Sequence, residues 1–215
     1  MQAVGELLGI SKENGIANAL LTYSPINSPF EYNFAKKLRE KILTDGHFLL
    51  NTYEALIKEV IAPMMVSEYK HSKYHHLENQ TVLYQYPPTL RIFPSTNPPK
   101  SMGRLHTDYD YGHQDGEVNF WLPLVNANGG NATLWSESAP GSKDFEPLQL
   151  VYGEIQRFHA VSHMHGTYPN DTGQTRISLD FRVALACSFN HQYSHPKKVL
   201  KFKHEMRSYT VDSDS

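Results

Sequence analysis

The sequence has a single cysteine, Cys187. One thiol closes no intramolecular disulfide and builds no thiolate zinc site on its own, which fits a reducing compartment. No apolar run approaches the roughly 20 residues needed to span a bilayer. The N-terminal MQAVGELLGI lacks the basic region and apolar core of a secretory signal. Charge of one sign is also missing. Lys and Arg number 20 against 22 Asp and Glu, for a formal net charge of -2, which argues against a dedicated nucleic-acid binder. Internal repeats, low-complexity tracts and interdomain linkers are absent too. Together these absences predict a soluble, cytoplasmic protein with no membrane or nucleic-acid partner. In such a protein the sequons at Asn131 and Asn170 are accidental.

What is present points to one globular domain of 215 residues, 40% hydrophobic and rich in Tyr (13) and Phe (10), residue types favoured on pleated surfaces. Phe34, Leu38 and Ile42 recur every four residues, which predicts a helix from about Glu31 to Leu43, ended by Asp45-Gly46. A second helix is expected from about Asn51 to Tyr69, striped by Leu56, Ile57, Val60, Ile61 and Met64. Pro63 should kink or split it. From Thr81 the period changes to that of strands. These are expected at 81–86, at 90–93 after Pro87-Pro88, at 118–125, 132–138, 148–151 and 154–158, and over a long final stretch from Thr175 to Leu185. Pro123 favours an edge or a bulge. Asn128-Gly129-Gly130 reads as a turn.

Helices first and many short strands after them predict a mainly β fold with N-terminal helices, most simply a double-sheet jelly roll or cupin-like barrel. The expected division is a helical part over 1–78 packed on the sheet, a jelly-roll core over 79–190, and a basic tail over 191–215. The tail is either a solvated end or a contact for an anionic substrate.

The chemistry concentrates between Arg104 and Arg182. Two histidines and a carboxylate can hold one face of an iron ion and leave the opposite positions open. Three His-x-Asp/Glu triplets occur, His76-x-Glu78, His106-x-Asp108 and His113-x-Asp115, where about one is expected by chance, so the triplet alone decides little. His76 follows the second helix and reads as surface. His113 and Asp115, flanked by Gly112 and Gly116, have the chemistry of a turn, although His113 can serve as an outer hydrogen-bond partner. His106 follows Arg104-Leu105, which would end a strand and set the pair at a sheet rim. The distal histidine is His163 or His165. Ten residues separate His165 from Arg176, and Ser178 follows on the same strand face, giving His-x-Asp … His-x10-Arg-x-Ser.

This pattern resembles that of the iron(II)/2-oxoglutarate-dependent oxygenases. It is closer still to a bacterial StrG-like subgroup connected with streptomycin biosynthesis, distantly similar to phytanoyl-CoA hydroxylases. The residues that carry the closer likeness are YQYPPTLRI from Tyr84, LHTDYDYGHQDGEVNFWLPL from Leu105 and HGTYPNDTGQTRISLDFRV from His165, covering roughly Thr81 to Val183. The resemblance selects His106 over His113. It implies a double-stranded β-helix that holds Fe(II) through His106, Asp108 and His165. The co-substrate 2-oxoglutarate would be oxidised by O2 to succinate and carbon dioxide while a C–H bond of a small, polar metabolite is hydroxylated. Halogenases of this type replace the carboxylate ligand with a small residue; Asp108 therefore favours hydroxylation or a related oxidation.

Arg176 offers a planar fork matching the distal carboxylate of 2-oxoglutarate, and Ser178 can donate a second bond. Asn119 and Trp121 share a strand face, so the Asn119 amide can contact the co-substrate while Trp121 walls the site. Arg91 reads as a substrate contact or as a buried partner of Glu117 or Glu137, and Arg182 as a structural salt bridge or a site residue. Tyr84 and Tyr109 are candidate substrate contacts, with Tyr86 and Tyr111 beside them. The competing reading is a cupin-like protein that binds or senses a small ligand without turnover.

Overall fold

The structure is a computed structural model that describes residues 1–10, 15–25, 33–70, 80–100, 104–126, 130–196 and 205–211. His76-x-Glu78, the Asn128-Gly129 turn and the lysines of the tail lie outside these residues. Five α-helices are described: α1 (Gln2–Leu8), α2 (Ile16–Leu21), α3 (Phe34–Asp45), α4 (His47–Leu56) and α5 (Ala62–Lys70). No described helix is long and apolar enough to cross a membrane.

Pro63 does not break its helix. A π turn, Ile57–Ile61, joins α4 to α5, so the chain stays helical from His47 to Lys70. The wider turn directly before Pro63 accommodates the missing donor and the ring. It also moves the apolar stripe by one position. Ile57 and Ile61 are buried as expected, but Val60 is 51% exposed, and Met65 and Val66 replace Met64 inside.

The strands are β1 (Thr81–Tyr86), β2 (Thr89–Phe93), β3 (Val118–Pro123), β4 (Trp135–Ser136), β5 (Glu146–Pro147), β6 (Gln156–Phe158), β7 (His165–Gly166), β8 (Arg176–Leu185) and β9 (Glu205–Thr210). The larger sheet has the order β6-β3-β8-β1-β9, with β2 also paired to β8; the smaller is β5-β4-β7. All pairings are antiparallel. One long strand, β8, thus organises the larger sheet. Along one side it meets β3, with Val118 opposite Val183 and Pro123 opposite Ser178. Along the other it meets β1 and then β2, whose Arg91 lies opposite Ser178 and Phe93 opposite Arg176.

The alternation along β8 sets the layers. Ile177, Leu179, Phe181 and Val183 face the helices and join the hydrophobic core. Tyr53 of α4 packs edge-on against Phe181 at 5.0 Å between ring centroids, and its hydroxyl donates to the Gln85 carbonyl at 2.7 Å. Each such side chain withdrawn from water contributes about 1.5–3 kcal/mol. Arg176, Ser178, Asp180 and Arg182 stand on the other face. There Arg176, Asp180 and Arg182 border a cavity of about 390 Å³, shared with residues of β2, β3, β6, β7 and α3.

Several elements differ from expectation. Pro123 closes a central strand rather than an edge. β6 pairs with β3 only over Asn119–Trp121, so no partner strand awaits the N–H that proline lacks. The region 132–138 yields only the short β4, and 148–151 forms no strand, β5 ending just before it; Val151 and Tyr152 are exposed, at 40% and 45%. Within the stretch read as tail, Glu205–Thr210 pairs along all of β1.

Gly116 marks a close approach. A Cβ there would lie 2.3 Å from the Ser188 carbonyl oxygen and 3.0 Å from its carbon. Gly116→Ala should cost about 1–3 kcal/mol through forced backbone displacement, read as a lower urea midpoint. An unchanged midpoint would mean that the two segments move apart at no cost.

Candidate metal centre

Two backbone hydrogen bonds bring the histidines together. His106 N–H donates to the His165 carbonyl at 2.9 Å, and His165 N–H to that of His106 at 2.8 Å. Residues 104–105 form no strand; this isolated bridge does the positioning instead. The approach is close enough that a Cβ on Gly166 would lie 3.1 Å from both the Arg104 carbonyl and the Leu105 Cα. The imidazole rings stand 4.6 Å apart. Glu137 fixes the other side of β7: its carboxylate accepts the Met164 N–H at 2.7 Å and the Lys143 N–H at 3.2 Å. It is therefore not a partner of Arg91.

Asp108 opens a 3-10 turn, Asp108–Tyr111, whose start is capped by Thr107 and Asp110. Its N–H donates to the Ala160 carbonyl at 2.8 Å, which seats it beside the segment leading into β7. The ligand atoms of His106, Asp108 and His165 all lie within 4.8 Å of one another. Asp108 Oδ1 is 3.6 Å from His165 Nε2 and 3.9 Å from His106 Nε2.

The tautomers follow from the partners. His106 Nδ1 is 2.9 Å from the Arg104 carbonyl, and His165 Nδ1 is 3.0 Å from that of His163. A carbonyl only accepts, so each Nδ1 carries the proton and each Nε2 presents a lone pair to the centre. Burial holds the His165 imidazolium below its ordinary range, against the pull of Asp108. Burial raises the Asp108 carboxyl, but Arg182, His165, His113 and the Asn119 hydrogen bond outweigh it and hold it ionised well below the carboxylate range. A neutral His165 imidazole beside an ionised Asp108 carboxylate is the protonation state a divalent cation needs.

Asp108 Oδ2 is occupied separately. It accepts Asn119 Nδ2 at 2.8 Å, Arg182 Nε at 2.9 Å and Arg182 Nη2 at 2.7 Å. Arg182 Nη1 goes to Gln85 Oε1 at 2.9 Å. Behind the arginine, Glu117 lies 4.0 Å from its Nε and holds His113 Nδ1 at 2.6 Å. His113 is thus an outer partner, and Asp115 joins no ligand group among the described residues.

At another part of the cavity Arg176 is 1% exposed. Its Nε and Nη1 and the Ser178 hydroxyl have no hydrogen-bond partner, nor do Trp121 Nε1 and Asn119 Oδ1. The guanidinium sits 5.0 Å over the Phe93 ring. Burial, then Arg91, push its pKa down to about 9, with Asp180 opposing.

The remaining candidates divide. Trp121 walls the cavity. Asn119 borders the cavity and gives one amide N–H to Asp108. Arg91 borders the cavity but pairs with Asp180 rather than with Glu117 or Glu137. Tyr84 faces the helices, 6.2 Å from Tyr53, and is no part of the cavity wall. Tyr109 turns away onto His195, at 4.5 Å. Tyr111 takes its expected place, edge-on to His106 at 4.8 Å; residues three apart stand on one side of a 3-10 turn, so Tyr111 follows Asp108. His163 sits in a bend before β7, its Nδ1 turned to the His159 carbonyl. Among the cavity residues not anticipated are Phe158 and, from α3, Leu38, Arg39 and Ile42.

No family model matches the chain. The streptomycin biosynthesis protein StrG of Streptomyces griseus is 38% identical over 112 residues, covering 52% of this chain and 51% of that protein. The chain thus spans about half the length of this curated relative. Among solved structures, the nickel complex of the non-heme monooxygenase ThoJ aligns with a TM-score of 0.41 at 17% identity, covering 59% of this chain and 52% of that one. The non-heme alpha-ketoglutarate-dependent epimerase SnoN from nogalamycin biosynthesis aligns at 0.44 and 15% identity, covering 66% and 60%.

Proposed function

We propose that the chain is an Fe(II)/2-oxoglutarate-dependent oxygenase with a jelly-roll core, which hydroxylates or otherwise oxidises a small, polar metabolite of specialised metabolism. The observation that carries this reading is the pairing of two features in one cavity. One is the triad His106, Asp108 and His165; the other is the buried Arg176, whose Nε and Nη1 lack partners, with the unpartnered Ser178 hydroxyl two residues further along the same strand face.

The residues fit both groups. Two imidazoles and one carboxylate suit Fe(II) and leave coordination positions for a chelating acid and oxygen. A buried guanidinium without an anion is costly, and the distal carboxylate of 2-oxoglutarate would supply one in bidentate fashion. Bound there, the iron would let O2, the oxidant, take two electrons from 2-oxoglutarate, which would leave as succinate and carbon dioxide, and two from the metabolite. The chain's own part is binding and orientation. His106 and His165 present their Nε2 atoms, Asp108 presents Oδ1, Arg176 and Ser178 take the far carboxylate, and Trp121 and Phe158 exclude water from the wall. The StrG likeness supports specialised metabolism as the setting. The same reading takes the chain as one oxygenase domain, acting in the cytoplasm without nucleic-acid or membrane partners.

The test is an anaerobic titration of the Fe(II)-loaded protein with 2-oxoglutarate. The expected result is a metal-to-ligand charge-transfer band in the visible range, followed by succinate formation on admitting O2. Absence of both would overturn the proposal. Small-ligand binding without the band would favour a sensing role.

A further inference from the structure

We infer that Arg182, assisted by Asn119, is a positioning residue that confines Asp108 to ligation through one oxygen. The inference rests on the metal-centre reading above and concerns how many coordination positions the protein leaves open.

Asp108 Oδ2 accepts three hydrogen bonds, from Asn119 Nδ2, Arg182 Nε and Arg182 Nη2, all between 2.7 and 2.9 Å. A carboxylate oxygen with two lone pairs is saturated by this set. Two of the donors belong to one planar fork, which fixes the carboxylate plane as well as its charge. Oδ1 is left facing the two histidine Nε2 atoms. A carboxylate free at both oxygens can chelate a cation and consume two positions. Here the second oxygen cannot turn toward a metal without breaking a buried, charge-assisted pair.

The fork is itself immobilised. Its third nitrogen is bonded to Gln85 Oε1 at 2.9 Å. Gln85 is in turn held by Thr89 Oγ1 at 3.0 Å and the Pro87 carbonyl at 3.2 Å. Glu117, braced by His113, stands on the other side of the guanidinium. Asn119 and Arg182 lie directly opposite each other in the β3–β8 ladder. Two adjacent strands of the larger sheet therefore aim their donors at one oxygen of a ligand carried on a separate turn.

The test uses Co(II) in place of iron, because its visible absorption reports coordination number without turnover. Wild type, Arg182→Lys, Arg182→Gln and Asn119→Ala are compared for Co(II) affinity by calorimetry, for the cobalt spectrum, and for 2-oxoglutarate affinity of the Co(II) form. Removing donors from Oδ2 should weaken Co(II) binding about 10- to 100-fold. It should also shift the spectrum toward a higher coordination number and weaken 2-oxoglutarate binding, which now competes with Oδ2. Lysine keeps the charge but not the fork, so Arg182→Lys should show the spectral shift while recovering most of the metal affinity. Should Arg182→Gln not fold, Arg182→Lys and Asn119→Ala carry the comparison. The inference is overturned if wild type binds Co(II) and the folded variants match it in affinity and spectrum. Failure of wild type to bind any divalent metal would instead overturn the metal-centre reading.

Discussion

Replacing Arg176 with methionine is expected to stabilise the ligand-free protein and to abolish its response to 2-oxoglutarate. The guanidinium is 1% exposed, and two of its nitrogens have no partner. Its depression from 12.5 to about 9 corresponds to a charging penalty of about 5 kcal/mol, at 1.36 kcal/mol per pH unit. The folded value lies below the unfolded one, so the penalty is present in full below about pH 9 and is relieved only as pH rises toward the unfolded value. Between about pH 6 and 8 the gain on substitution should therefore be flat. Methionine fills similar space over Phe93, and exchanges of buried charge for packed apolar groups bring up to about 1–4 kcal/mol. Wild type should melt higher with 2-oxoglutarate, and the variant should show no shift. Losing one side of a buried charge pair costs about 2–5 kcal/mol of binding, roughly 30- to 5,000-fold. Metal affinity should be untouched. A variant that loses metal while still binding the dicarboxylate would show that Arg176 has another task.

Asp108→Ala should damage the protein twice. It removes one of the three candidate ligands, so calorimetric binding of Fe(II) or Co(II) should vanish. It also strips Arg182 of the acceptor for two hydrogen bonds in a site where the arginine is 7% exposed. A buried charge stranded in this way costs about 3–5 kcal/mol. His106→Ala makes a clean contrast. Its side chain is 24% exposed and its Nδ1 is bonded only to the neighbouring Arg104 carbonyl, so metal binding should be lost with little change in the denaturant midpoint. Equal destabilisation by the two substitutions would mean that the Arg182–Asp108 pair contributes nothing net to the fold.

Much of this site was legible because β8 alternates so cleanly. Arg176-x-Ser178-x-Asp180-x-Arg182 against Ile177-x-Leu179-x-Phe181 announces a strand with a polar face worth burying, and its spacing from His165 gave the register. The choice among the His-x-Asp/Glu triplets was not readable from residue types. It depends on a backbone pairing between His106 and His165, far apart in sequence, that brings only one triplet to the second histidine. The partner of Arg182 was hidden for the same reason: parity gives its face but not which carboxylate stands there. Tyr84 misleads because β1 is buried on both sides, leaving nothing in its pattern to tell the helix side from the cavity side. Tyr109 and Tyr111 are equivalent by residue type, and only the 3-10 turn Asp108–Tyr111 sorts them. The π turn before Pro63 has no local signal that periodicity can detect, and it alone shifted the stripe from Val60 and Met64 to Met65 and Val66.

The strand that carries Arg176 and Arg182 is hydrogen-bonded along both sides and buried on both faces. Arg176, the proposed co-substrate anchor, and Arg182, which holds Asp108, are therefore marks on a single ruler, six residues apart, with no hinge between them. Side chains along that interval can be exchanged one at a time. Its length cannot change by one residue, because a single insertion or deletion would turn one arginine into the apolar core. Variation of this site is thus confined to substitution on β8, while changes in length must occur in the surrounding loops.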